Sequence, residues 1–261
     1  MCGRIAGDQA GIARVTLRTL KLTLAYDGTN YAGWQRQINA LAIQQVVEEA
    51  FAHLTGGVAP TIAGAGRTDS GVHALGQVAT VNVEFDLTPP SVQRALNVRL
   101  PADIRVVEVV EAPLGFHAQF HATGKHYRYR MALGPVLSPF DRHFAWHVPW
   151  PLDLGAMQAA AAHLVGTHDF ASFQATGTKI TDTTRTLERL TLTDLGGELR
   201  IDTEGDGFLR NMVRIIAGTL MEVGAGQRTP ESIPAIITAR SRDAAGKTAP
   251  PQGLSLMSVR Y

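Results

Sequence analysis

Apolar residues in this chain recur at two periods, 3.6 and 2, and the irregular order of the two restricts the fold more than any single motif. Ile43, Val46, Val47, Ala50, Phe51 and Leu54 fall at i, i+3, i+4, i+7, i+8 and i+11, with Gln44, Gln45, Glu48 and Glu49 turned outward, which predicts an amphipathic helix. Thr88 and Pro89 supply an N-cap and a first-turn proline for a second helix over 89–99. Leu209, Met212, Val213, Ile216, Leu220 and Val223 form a third stripe, with Gly224 placed to cap its end. Shorter helices are expected over 153–164 and 230–239, and strands over 20–26, 77–85, 104–110, 127–133, 187–194, 199–204 and 254–260. Helices that alternate irregularly with strand pairs point to an α+β fold and against a repeating βαβ chain.

The run from Ala65 to Ala74 sets one carboxylate, Asp69, among Arg67, Thr68, Ser70 and the glycines at 66 and 71. Glycines there give backbone freedom and close approach, and the polar residues between them need partners if buried. The run reads either as a turn rich in Gly, Ser, Thr and Asp or as a docking site. A dinucleotide cradle is excluded by spacing, since G-x-G-x-x-G starting at Gly64 needs glycine at position 69, where the acid sits. No Gly-Lys-Ser/Thr follows, so no nucleotide cofactor is expected from a phosphate-binding loop.

Lys+Arg of 24 against Asp+Glu of 23 leaves a net charge of +1, so a nucleic-acid partner has to be read from the distribution of charge. Between Ala112 and Phe140 there is no acid, while Lys125, Arg128 and Arg130 interleave with His117, His121, His126, Tyr127 and Tyr129. Such a segment offers phosphate attraction and base stacking, or is an ordinary solvated strand. The three histidines do not suggest a metal: 117 and 121 share a face only on a helix, whereas Gly124 and the alternation after it read as a loop entering a strand. A single cysteine, Cys2, excludes an internal disulfide and suits a reducing cytoplasm. No apolar run approaches the roughly 20 residues of a membrane span, and residues 1–19 read as a mobile extension lacking a secretory signal's apolar core.

Gly-Arg-Thr-Asp-Ser-Gly-Val-His-Ala at 66–74, with Tyr26-Asp27-Gly28-Thr29-Asn30-Tyr31-Ala32-Gly33-Trp34-Gln35-Arg36-Gln37 before it, closely resembles the bacterial tRNA pseudouridine synthase A family. Phe116-His117-Ala118 with Lys125-His126-Tyr127-Arg128-Tyr129 resembles that family's central segment, and Gly207 to Arg214 with Gly218 to Gly224 its C-terminal helix. The resemblance runs in order from about Leu20 to Tyr261. It implies two ferredoxin-like α/β halves, here 20–115 and 116–261, joined in a mainly antiparallel sheet with the active cleft between them. No sequence repeat is visible, so the duplication rests on the resemblance.

The implied activity is isomerisation of uridine to pseudouridine at positions 38, 39 and 40 of the tRNA anticodon stem-loop, by a cytoplasmic homodimer with no cofactor and no metal. Asp69 is then the essential carboxylate, acting on ribose or uracil as nucleophile or removing a ribose proton. Arg67 and Arg214 hold it ionised and oriented. Tyr127 stacks on the flipped base and is the candidate to receive the C5 proton, against the alternative of a sheet-facing core aromatic. Trp34, Gln35 and Arg36 form an RNA clamp, or else Trp34 staples the loop to the core. His73, Lys125, Arg128 and Arg210 are further RNA contacts; Arg210 and Arg214 lie four apart on the third helix, and Arg210 by itself reads as an exposed, snorkelling arginine. His126 stands where an arginine is more usual, which leaves one phosphate contact open. A non-catalytic RNA-binding module has no use for the Asp69 carboxylate, and a nucleoside or glycoside hydrolase wants a second acid, for which Asp27 is the one motif candidate.

Overall fold

The computed structural model describes residues 16–261 except Lys179, so the N-terminal extension falls almost wholly outside the described residues. The first half runs β1 (Arg18–Tyr26), α1 (Ile43–Ala52), β2 (Ala63–Gly64), β3 (His73–Val83), α2 (Pro89–Arg99), β4 (Ile104–Ala112). The second runs β5 (Gly124–Leu133), β6 (Trp146–Val148), α3 (Leu154–Ala162), β7 (Gly166–Asp169), β8 (Thr184–Asp194), β9 (Glu198–Gly205), α4 (Met212–Gly224), α5 (Ser232–Ala239), β10 (Leu254–Arg260). The strands form one sheet in the order β4-β1-β3-β10-β5-β9-β8-β7, with β2 on β3 and β6 on β5.

The duplication invisible in sequence is plain in this order. β1-α1-β2-β3-α2-β4 and β5-α3-β8-β9-α4-β10 are two βαββαβ units with the same antiparallel neighbours. They join where β10 runs parallel to β3, at Ser255–His73 and Leu256–Ala74. That junction occupies the β3 edge and confines β2 to a two-residue pairing farther along the same strand. Each half buries its own helices, with Leu20, Leu22, Leu24, Phe51 and Leu96 inaccessible in the first and Tyr129, Met131, Phe170, Ile215 and Leu220 in the second. Complete burial of each such side chain stabilises by roughly 1.5–3 kcal/mol, so the apolar faces of sheet and helices fix both units.

Several sequence expectations change in detail. Gln44 and Glu48 turn inward: Gln44 Nε2 donates to the Ile62 carbonyl at 2.9 Å, and Glu48 Oε1 accepts from the Ile62 N–H at 3.1 Å. A buried polar pair on α1 thereby anchors the approach to β2, which period counting assigned to solvent. Thr88 precedes α2 without a side-chain cap. Helix α4 starts at Met212 after Asn211 in a left-handed conformation (φ 61°), so Arg210 lies ahead of the helix. Gly224 ends α4 without capping it; its missing side chain leaves room for Met157 of α3. The strand β1 begins two residues before the expected Leu20.

Candidate active site

Asp69 sits in the loop joining β2 to β3, and the loop is held from both sides. From the sheet below, the Tyr26 and Thr68 hydroxyls are paired at 2.8 Å and Gln77 Nε2 donates to the Gly66 carbonyl at 2.9 Å. From the neighbouring loop, the Trp34 N–H donates to the Thr68 carbonyl at 3.1 Å, and the Gly71 N–H and Ser70 hydroxyl donate to the Tyr31 carbonyl at 3.3 and 3.2 Å. Gly33 permits this contact: its φ is +89°, and a Cβ would collide with the Thr68 carbonyl. The Gly-Thr-Asn-Tyr-Ala-Gly-Trp segment is therefore a rigid wall.

The cleft above the loop has a volume of about 1520 Å³ and receives Trp34, Asp69, Lys125, Tyr127, Arg210 and Arg214. That exceeds the 300–1,000 Å³ usual for a small-molecule pocket and suits a polymer segment. Among the described residues lining it, Asp69 is the only carboxylate. Arg214 Nη1 lies 3.6 Å from Asp69 Oδ2. Its guanidinium is aimed by two further bonds, Nε to the Ala249 carbonyl at 2.8 Å and Nη1 to Asn211 Oδ1 at 3.1 Å. The left-handed Asn211 thus positions the arginine it precedes, a conformation that Asn tolerates better than most residues. Asp69 is a third exposed, yet the cleft walls desolvate it enough to raise its pKa above the ordinary carboxylate value, against the opposing pull of Arg214 and then Arg210.

Tyr127 is the fourth residue of β5, packs edge-on against Phe208 with centroids 5.1 Å apart, and is 7% exposed. Burial, reinforced by Tyr26 and the Asp69 charge, pushes its phenol well above the usual range, so it stays protonated at neutral pH. It is both a core aromatic and a wall of the cleft.

The remaining expectations divide. Arg67 lines the cleft but makes no ion pair with Asp69, so the carboxylate is flanked by Arg214 and Arg210 instead of Arg67 and Arg214. Trp34 is 2% exposed, stacked on Tyr26, and staples the loop to the core; Arg36 pairs with Glu48 at 2.8 Å and Gln35 donates to Gln44 at 2.8 Å, so the segment expected to clamp RNA is held against the protein by its own contacts. Arg128 points to the opposite face of the sheet, where it and His126 meet Asp202 at 2.9 and 2.6 Å, because residues alternate along β5. His73 is buried: its Nδ1 accepts from the Gly28 N–H at 3.0 Å beside Asp27, and burial lowers its pKa. Neither His73 nor Arg128 reaches the cleft. Asp27 is held in its own turn by Thr29 and His73, outside the cleft lining. His117, which the sequence places in the acid-free basic and aromatic segment, and Gln119 line the cleft. Among the described residues no group of His, Cys, Asp or Glu gathers as metal ligands do. Among the described residues no helix is long and apolar enough to cross a membrane.

Sequence comparison agrees with this arrangement. The family model described as tRNA pseudouridine synthase matches residues 23–121 and 160–261, a span that takes in the Asp69 loop and α4 and leaves out Lys125 and Tyr127 between its two parts. The tRNA pseudouridine synthase A of Geobacter sulfurreducens is 48% identical over 94% of this chain and 100% of its own. Those of Acetivibrio thermocellus, 45% identical over 94% of this chain and 100% of its own, and Halalkalibacterium halodurans, 44% identical over 91% and 90%, are similar along nearly their whole length. With Asp69 the one carboxylate among the described residues of an arginine-flanked cleft, and a relative that matches 94% of this chain along its own whole length, the chain belongs to the tRNA pseudouridine synthase family.

Proposed function

We propose that this chain isomerises uridine to pseudouridine in tRNA, at positions 38, 39 and 40 of the anticodon stem-loop, with Asp69 as the essential carboxylate. The observation that carries the reading is that Asp69 is, among the described residues, the single acid lining a wide, arginine-flanked cleft of a tRNA pseudouridine synthase family member. Glycoside hydrolysis uses a pair of carboxylates, and the cleft offers one. The reaction breaks the C1′–N1 bond and forms C1′–C5; C5 gives up its proton and N1 gains one, so atoms and electrons balance within the nucleotide.

The glycosidic bond of a stacked base is shielded, so the uridine is extruded into the cleft at a cost of a few kcal/mol. Tyr127 offsets about 1–3 kcal/mol of this by stacking. Arg214, aimed by Ala249 and Asn211, keeps Asp69 charged in a setting that otherwise favours its acid form. Following the family, the working unit is a homodimer across which one tRNA lies. Release of tritium from C5-labelled uridine in tRNA tests the reading: the wild-type chain should release label in proportion to pseudouridine formed, and an Asp69→Asn protein should release none. Label retained by a folded wild-type chain with competent tRNA refutes it.

A further inference from the structure

Lys125 is a cleft cation to which the proposed reaction gives no partner. It lies on β5 two residues before Tyr127, so both side chains leave the same face of the strand. Its stem runs toward the Asp69 loop, and Nζ lies 2.8 Å from the place a Cβ on Gly66 would take, so glycine at 66 leaves room for the ammonium. Among the described residues Lys125 Nζ makes no hydrogen bond and no ion pair. The charge that acts on it is another cation, Arg185, and desolvation together with that repulsion lowers its pKa. The positive charges that act on Asp69 come from Arg214 and Arg210, so Lys125 is not the counter-ion of the carboxylate.

A desolvated ammonium with no partner of its own, in a cleft whose one carboxylate among the described residues is already met by Arg214, costs free energy until an anion arrives. A uridine has a neutral base and a neutral ribose; its only charges are the phosphodiesters on either side. These are also the groups about which an extruded nucleotide swings. A lysine ammonium, a compact charge with three rotatable donors on a flexible stem, can follow a phosphate through that movement where a planar guanidinium is restricted.

We propose that Lys125 Nζ binds a phosphodiester flanking the extruded uridine and so holds the RNA backbone in register with Asp69. This rests on the reading of the cleft as a uridine-isomerising site. The test is binding of an anticodon stem-loop RNA to the wild-type chain, Lys125→Met and Lys125→Arg across a series of KCl concentrations. The RNA is used unmodified or with one neutral methylphosphonate linkage placed 5′ or 3′ of the target uridine. Lys125→Met should weaken binding about 10-fold at low salt and reduce the slope of log K against log[salt] by about 0.7–0.9, the value for one phosphate contact, while Lys125→Arg keeps the slope. One of the two methylphosphonates should weaken wild-type binding as much, and should cost Lys125→Met nothing more.

An unchanged slope in Lys125→Met, or losses that add at both linkages, overturns the proposal. Should Lys125→Met fail to fold, the wild-type chain decides alone: indifference to both neutral linkages refutes the contact. Tritium release by the wild-type chain is read separately, so loss of the phosphate contact and loss of the isomerase reading give different results.

Discussion

Arg214 reaches Asp69 at 3.6 Å while its Nε is committed to the Ala249 carbonyl at 2.8 Å, so the guanidinium is fixed before any substrate arrives. A fixed cation opposes desolvation at one carboxylate, and the balance between them governs both the chemistry and the stability of the site.

Replacing Asp69 by Asn should abolish pseudouridine formation, by about 10⁴-fold or more, with tRNA affinity kept within a few-fold. The same change should stabilise the fold at neutral pH. Because the folded pKa of Asp69 is raised, the unfolded chain ionises first as pH increases; wild-type stability therefore falls from the ordinary carboxylate value of 3.8 up to the folded pKa, and the cost persists above it. Thermal melts should show the Asn protein more stable at pH 7 and the difference closing as pH drops below 3.8. An Asn protein that melts lower at pH 7 would mean the carboxylate is favourably bound.

Arg214→Lys preserves charge but cannot keep both the Ala249 and Asn211 bonds and still face Asp69. Single-turnover rates should fall about 10²-fold, in the range lost on removing a preorganised electrostatic group. Wild-type rates in the lysine protein would make charge alone sufficient.

Much of this was legible in the sequence. Period counting located α1, α4 and the long strands because packing and propensity agree there, Thr88-Pro89 marked α2, and the glycine-rich run marked the Asp69 loop. Two kinds of feature were illegible. Contacts across long sequence separation, such as Tyr26 with Thr68 or β10 beside β3, leave no local pattern. Side chains whose face depends on register were misjudged: Arg128 is one residue from Tyr127 and so lies on the other side of the sheet, and Gln44 and Glu48 look solvent-facing until Ile62 needs partners. Asn211 falls inside the apolar stripe that starts at Leu209, so its left-handed turn and the later start of α4 at Met212 were hidden by the periodicity.

Arg210→Gln should move the acid limb of kcat/KM to higher pH. Arg210 is exposed and lowers the Asp69 pKa, so removing it lets desolvation raise that pKa further. The shift should shrink as salt is added, because the interaction crosses solvent. A limb that moves to lower pH, or does not move at low salt, would separate the acid limb from Asp69.

Tyr127 is where binding and proton transfer can be parted. Its ring packs edge-on against Phe208, so Tyr127→Phe keeps the packing and the π face, whereas Tyr127→Leu loses both. Burial keeps the phenol protonated, and a protonated phenol cannot begin as a base; it takes the proton from C5 as it hands its own to solvent in the cleft, a relay that requires the O–H. Tyr127→Phe should therefore bind tRNA within a few-fold of wild type and turn over about 10²- to 10⁴-fold more slowly, the usual range for acid–base assistance. Tyr127→Leu should in addition lose roughly 1–3 kcal/mol of affinity, the worth of one base–aromatic stack. Single-turnover rates and dissociation constants at one fixed salt concentration give the two numbers for each protein, since tRNA affinity varies steeply with ionic strength. A Phe protein as fast as wild type leaves the ring with stacking alone, and a Leu protein with unchanged affinity moves the base off this face of β5.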